Sequence, residues 1–382
     1  MSVPELMTAR PLGSQLRRVP VWIWAFFAHE ILLFGAFITP FAYPTHRYLT
    51  QSQAFSSLSH FWFQWDSLWF IEIGRLGYAH VPIAGTAFFP FVPVLVHLTG
   101  IWGAWILTQV SLAITLWLVH RWARRLLPTA LQASFATLLF AFNPAAVYFS
   151  TLYSEPWTIM FALLSIELGY RRRWGWAALA GFLTATTQAT GVLIGLFPLV
   201  LFCMHGYHRK WRTALGPLLW GIGCFLGIAS YAAYLGIRFG HPLLFSTMEH
   251  LHWSTGWEWP WKQWIDGLTS TVAKGHIILL QVLLWLSITG SILGVMMLYP
   301  RMKDPTYSMA FALYGSAGLL VSLSFYLPGV PLSSTVRIAS VYFPMYVGMA
   351  RLPRSLVAIG IAMSLAVSWY GALRFTHEWW YQ

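Results

Sequence analysis

The chain has 382 residues, of which 58% are hydrophobic, 18% aromatic and only 9% charged, with a formal net charge of +12. Soluble globular domains carry roughly 25% charged residues, so that class is excluded. Disorder and a disulfide scaffold are excluded too, because apolar side chains abound and there are only two Cys.

What remains is an all-α polytopic membrane protein. The positive charge marks loops that stay in the cytoplasm and not a nucleic-acid partner, because the basic residues sit in short runs between apolar segments. Arg10, Arg17 and Arg18 precede an apolar stretch over 20–43. That stretch is too long for a secretory signal and lacks its cleavage site, so it reads as the first span. Basic runs recur at Arg121, Arg124 and Arg125; at Arg171, Arg172 and Arg173; at Arg209, Lys210 and Arg212; at Arg301 and Lys303; and at Arg351 and Arg354. Placing all of them in the cytoplasm requires an even number of crossings between neighbouring runs. Between Arg18 and Arg121 this leaves one return helix, 102–119. The segment 86–99, which holds Pro90 and Pro93, is then an interfacial or re-entrant helix.

Further spans fall at 130–148, 157–170, 175–188, 190–204, 214–235, 277–299, 306–327, 337–350 and 355–371, which makes about 11 transmembrane helices. The chain, 1–382, reads as a single membrane-embedded domain. Two long external segments emerge, 44–101 with interfacial helices and 236–276. No P-loop, GxGxxG or Asp-x-Asp pair occurs. No cofactor or cytoplasmic nucleotide is therefore expected, and any chemistry falls on the external face with an activated molecule already in the membrane. Cys203 and Cys224 lie in spans and read as packing residues.

The stretch from His60 to Tyr78 is helical in pattern and ends at Gly77. Glu72 and Arg75 can pair on one face. Asp66 has only Trp62, Phe63, Trp69 and Phe70 three and four residues away. A carboxylate among aromatics is costly unless something uses it, and partial desolvation makes it a better base. Alternatively it caps a helix or pairs with a distant Arg. Glu155 opens a helix, where it could hold sugar hydroxyls or favour the positive helix end. Trp253, Trp257, Trp259, Trp261 and Trp264 suit an interfacial belt better than sugar stacking. The spacing of Glu249, His250 and His252 does not put metal ligands on one face, so no metal is expected. Glu30, beside His29 in the first span, is an intramembrane acid. It keeps open a proton-coupled lipid or solute transporter as the alternative, with a non-catalytic glycolipid-binding subunit as a third.

The block Trp65-Asp66-Ser67-x-Trp69-Phe70, followed by Gly77-Tyr78 and Phe88-Phe89-Pro90-x-x-Pro93, resembles the signature of the PIG-V mannosyltransferases, GT-C-type membrane enzymes. Further matches follow in order: Asn143-Pro144-Ala145 with Tyr148, Tyr153-Ser154-Glu155, Phe239-Gly240-His241-Pro242-Leu243, and Arg337 with Phe343-Pro344. Two positions depart from the pattern. Ile338 follows Arg337 where the family has Tyr, and Gln188 stands where relatives carry Arg.

The resemblance implies a GT-C-like fold and an inverting enzyme. It would move mannose from polyprenyl- or dolichyl-phosphate-mannose to an acceptor hydroxyl on a lipid or glycolipid at the extracytoplasmic face. The expected location is a microbial plasma membrane, or the endoplasmic reticulum membrane in a eukaryote. Phosphate is a good leaving group, so one carboxylate base suffices where glycoside hydrolysis uses two. Asp66 is the candidate base. Arg337, or secondarily Arg238, is the candidate clamp on the donor phosphate, against a plain snorkelling role. Trp65, Trp69, Tyr78, Glu155, Gln188, His241 and His250 are the candidates for the sugar and acceptor.

Overall fold

In a computed structural model the chain is described over residues 19–39, 62–207, 211–273, 289–290, 292, 305–328, 331–332 and 334–376. The described residues are almost entirely helical. They form α1 (Val21–Ile38), α2 (Asp66–Leu76), α3 (Phe91–Leu126), α4 (Ala130–Ala141), α5 (Glu155–Tyr170), α6 (Trp174–Thr187) and α7 (Leu196–Tyr207). After these come α8 (Trp211–Phe239), α9 (Leu244–Trp253), α10 (Pro260–Ala273), α11 (Pro305–Ser324), α12 (Thr335–Ser340), α13 (Pro344–Met349) and α14 (Arg354–Thr376). Three 3-10 turns, Ile83–Ala87, Ala146–Phe149 and Ala189–Gly195, join them. Among the described residues four helical stretches are long and apolar enough to cross a bilayer: Val21–Ile38, Phe91–Leu126, Thr213–Phe239 and Arg354–Thr376.

The pattern of burial explains why these helices need lipid. In α1, Ala25, His29, Leu32, Leu33 and Ala36 are buried, while Trp24, Phe27, Ile31, Phe34 and Ile38 stand on the outer face. An apolar stripe on both sides of a helix is stable only where the outer side meets hydrocarbon. The one polar residue turned inward, His29, is fully satisfied: its Nδ1 lies 2.6 Å from the Ala141 carbonyl and its Nε2 2.9 Å from Ser150 Oγ. Ser150 Oγ also donates to Glu30 at 2.6 Å. The intramembrane acid is therefore tied to the 3-10 turn that precedes α5.

Two expected spans take a different form. From Phe91 on, the segments 86–99 and 102–119 merge into the single helix α3, broken at Gly100, whose φ of 71° is open to glycine without strain. The expected span 337–350 is two six-residue helices, α12 and α13, parted at Val341–Phe343 because Pro344 starts a new helix. The expected span 277–299 lies almost wholly outside the described residues.

The turn Ala146–Phe149 is set by the chain's single Asn. Asn143 Nδ2 donates to the Phe140 carbonyl at 2.7 Å and its Oδ1 accepts the Ala145 N–H at 2.8 Å. The turn is thus locked against the end of α4. Helix α14 closes over it through Ser368 Oγ, which donates to the Phe142 carbonyl at 2.6 Å. A short antiparallel ribbon, β1 (Gly256–Trp257) with β2 (Phe325–Tyr326), pairs Gly256 with Tyr326 and ties the chain beyond α9 to the end of α11.

Helix α5 joins two charged regions. At its C-terminal end Glu167 is caged by Arg121 at 3.0 Å, by Arg125, and by Arg171 at 2.7 Å. At its N-terminal end stands Glu155. The two are twelve residues apart in sequence, about 18 Å along the helix.

Candidate active site

Four separate elements converge at the N-terminal end of α5. Helix α2 begins at Asp66, where a negative side chain suits the helix end. The residue before it, Trp65, has φ of 55°, an uncommon backbone for so large a side chain, and this sharp entry sets the direction in which α2 starts. The Asp66 N–H donates to the Tyr153 hydroxyl at 3.2 Å, and that hydroxyl lies 3.3 Å from the Gln64 carbonyl that accepts its proton. The far end of α2 is pressed against α3. A Cβ at Gly74 would lie 2.7 Å from the Pro93 carbonyl oxygen and 2.8 Å from Val96 Cβ.

Arg337 reaches in from α12. Its Nη1 donates to Asp66 Oδ2 at 2.7 Å, and its Nε stands 3.1 Å from Glu155 Oε1. The guanidinium carbon lies 5.4 Å from the ring of Tyr148 and 5.6 Å from that of Tyr153, so aromatic faces complete its surroundings. Two carboxyl groups flank one guanidinium, so the cluster holds no spare positive charge. Glu155 is almost fully buried; Asp66 and Arg337 each keep 18% of their side-chain surface, so the cluster opens on the Asp66 side. Ser154 Oγ lies 3.4 Å from Glu155 Oε2 and 3.5 Å from Gln188 Oε1. Gln188 Nε2 is buried and has no hydrogen-bond partner among the described residues.

This geometry corrects one expectation. Asp66 is not a lone acid among aromatics: Arg337, 271 residues away, is its partner. The local spacing of α2 could not show a contact between elements so distant in sequence. The same contact brings together the residues expected to act as base and as clamp. Glu155, at the N-terminal end of α5, also meets the second side of Arg337.

Trp69 flanks the site one turn after Asp66. It stacks on Phe88 at 5.6 Å and meets His252 and Trp253 edge-on at 6.1 and 6.0 Å. Trp65 is half-buried and packs on the core. Tyr78 has a scaffolding place: its hydroxyl donates to the Phe88 carbonyl at 2.6 Å. His250 holds the Thr255 carbonyl at 2.5 Å. Arg238, in the last turn of α8, and His241, just beyond it, are exposed and share no bond with the cluster among the described residues. Among the described residues no group of three or more His, Cys, Asp or Glu side chains could hold a metal ion.

One acidic neighbour, Glu249 of α9, is passed over when the sequence is read for metal-ligand spacing alone. It is half-buried, and its carboxyl is pushed up to about 7, first by burial and then by the Asp66 carboxylate, against the opposing pull of Arg337. The signal lies in helical spacing: Phe245, Glu249 and Trp253 recur every four residues and share one face.

Comparison with known proteins agrees with the motif reading. Residues 39–215 match the family model for Mannosyltransferase (PIG-V). The matched stretch holds Asp66, Glu155 and Gln188, while Glu249 and Arg337 lie beyond it. Among solved structures, ArnT from Cupriavidus metallidurans bound to undecaprenyl phosphate is similar with a TM-score of 0.48 and 16% identity, over 94% of this chain and 76% of that one. No curated protein matches the chain.

Proposed function

We propose that this membrane glycosyltransferase moves mannose from a polyprenyl- or dolichyl-phosphate carrier to an acceptor hydroxyl on the extracytoplasmic face, with inversion at the anomeric carbon. One observation carries the reading. Motif blocks spread over more than 270 residues, Asp66 in one, Tyr148, Tyr153 and Glu155 in two more, and Arg337 in the last, meet in a single ion-paired cluster.

The chemistry follows from the geometry. Asp66 Oδ2 is fixed by Arg337, which leaves Oδ1 to accept the proton of an acceptor hydroxyl. Asp66 can take the proton because the hydroxyl grows acidic as its oxygen bonds to the anomeric carbon. That bond forms while the bond from the anomeric carbon to the phosphate oxygen breaks; the proton goes to Asp66 and the electron pair leaves with the lipid phosphate. Arg337 and Gln188 Nε2 are the donors nearest the place where phosphate charge develops. Trp69 offers a face beside the sugar.

The external placement rests on α5. Its Arg-rich end, around Glu167, belongs in the cytoplasm by the positive-inside rule, so the cluster at its other end faces outward. The acceptor is a lipid or glycolipid of the same leaflet. A microbial plasma membrane is the favoured location.

Purified protein given polyprenyl-phosphate carrying radiolabelled mannose, with a membrane lipid extract, should release polyprenyl phosphate and label an extract lipid. Asp66→Asn should lower turnover by about 100-fold or more, in the range of a lost general base, and elute from a sizing column like the unaltered protein. Equal turnover in Asp66→Asn would remove that residue from the chemistry. Transfer of a different sugar from the same carrier would correct the substrate.

A further inference from the structure

If the leaving group is a lipid phosphate, as proposed above, the cluster as built is electrostatically hostile to it. Asp66 and Glu155 already engage Arg337, so the cluster has no positive charge to spare. The donor phosphodiester brings a negative charge, and the released phosphomonoester carries about −1.5 to −2 at neutral pH. Such a site needs hydrogen-bond donors that bring no negative charge.

Glu249 stands where that donor is needed. Helix α9 is anchored on both sides of it. One turn earlier, Phe245 packs on Phe89 at 5.2 Å; one turn later, Trp253 packs on Trp69 at 6.0 Å and on Phe88 at 5.5 Å. These three residues share a face, so Glu249 is turned toward α2 and the Ile83–Ala87 turn. Trp69 follows Asp66 by three residues on α2, and the charges of Asp66 and Arg337 both act on the Glu249 carboxyl. The carboxyl takes part in no ion pair or side-chain hydrogen bond among the described residues; only its backbone carbonyl is engaged, by Thr255 Oγ1 at 2.8 Å.

We propose that Glu249 acts in its protonated form, as the hydrogen-bond donor and general acid for the departing lipid phosphate. As the bond from the anomeric carbon to the phosphate oxygen breaks, the carboxyl proton moves to a phosphate oxygen. The acceptor's proton passes to Asp66, and exchange with water afterwards returns Asp66 to carboxylate and Glu249 to acid. The acidities match. A carboxyl raised to about 7 stands close to the second phosphate ionisation near 6, so the transfer is almost isoenergetic.

The charged groups facing Glu249 are Asp66 of α2 and Arg337 of α12, with Glu155 of α5 and Tyr153 behind them. The Ile83–Ala87 turn adds none; α8 contributes Tyr231 and Tyr234, and α9 itself His250 and His252.

The test is the pH profile of kcat/KM for the donor, together with equilibrium binding of polyprenyl phosphate, in the unaltered protein and in Glu249→Gln. A carboxyl that must be protonated and titrates near 7 gives a fall of about tenfold between pH 6 and pH 8. Glu249→Gln should turn over more slowly but lose that limb. The binding of polyprenyl phosphate should fall with pH about tenfold more steeply in the unaltered protein than in the variant. A Glu249→Gln enzyme that keeps the wild-type limb, or binding curves that run parallel, would overturn the proposal. Binding is read without turnover. If polyprenyl-phosphate-mannose proves to be no donor, the sugar-transfer reading fails on its own, while the two binding curves still decide the role of Glu249.

Discussion

Replacing Arg337 by Met keeps the length of the stem and removes the charge. It leaves Asp66 and Glu155 facing one another with no counter-charge, one of them at 3% exposure. Truncating one partner of a buried ion pair costs about 3–5 kcal/mol. The 18% exposure of Asp66 lets water relieve part of this, so the lower end applies, about 3 kcal/mol. Proteins of 150–250 residues lose about 2–4 °C in Tm per kcal/mol, and a longer chain sits at the low end, which gives about 6 °C. The 23 Trp make intrinsic fluorescence in detergent a direct assay. A second variant, Arg337→Met with Glu155→Gln, removes one stranded carboxylate and should recover most of the loss. Acidification should also help the single variant. A buried carboxyl with no cation has its folded pKa above its unfolded one, so the folded state binds the extra proton and gains stability as pH falls. If Arg337→Met melts like the unaltered protein, or if the double variant is no more stable than the single one, the guanidinium does not neutralise this pair and the electrostatic reasoning is wrong.

The packing of α2 and the exposure of the segment beyond α9 can be probed in the same way. Gly74→Ala drives a Cβ into the Pro93 carbonyl and Val96. Overpacking of this kind costs about 1–3 kcal/mol, and because the backbone of α3 must yield, Asp66 shifts; turnover should fall at least tenfold in folded protein, and unaltered kinetics would show that α2 tolerates displacement. In a background with both Cys replaced, a single Cys at Trp259, which is exposed, should react with a membrane-impermeant reagent added to intact cells; labelling only after permeabilisation would reverse the orientation.

Much of this architecture can be read from the sequence because it is written in local terms. Nine per cent charge and recurrent Arg runs between apolar segments mark a membrane protein before any contact is known. Gly77 does end α2, with φ of 79°. Pro344 shows where such reading stops. Apolar content alone makes 337–350 a span, but the backbone needs of proline divide it into α12 and α13, and the break is what leaves Arg337 on a short helix beside Asp66. The pairing itself is invisible in the sequence, because a contact across 271 residues is set by how α2, α5 and α12 pack and not by spacing along one helix. Glu249 escapes notice for the opposite reason. Its neighbours His250 and His252 suggest a metal question, and the answer to it hides the aromatic face that Glu249 shares with Phe245 and Trp253.

Whether the Asp66–Arg337–Glu155 cluster handles a lipid-linked phosphate can be decided by a structure of the protein with polyprenyl phosphate bound. Phosphate density is expected within hydrogen-bonding reach of Glu249 and Gln188 Nε2, beside the Asp66 carboxylate and on the open side of Arg337. Density at the opposite end of α5, among Arg121, Arg125 and Arg171, would contradict that role for the cluster.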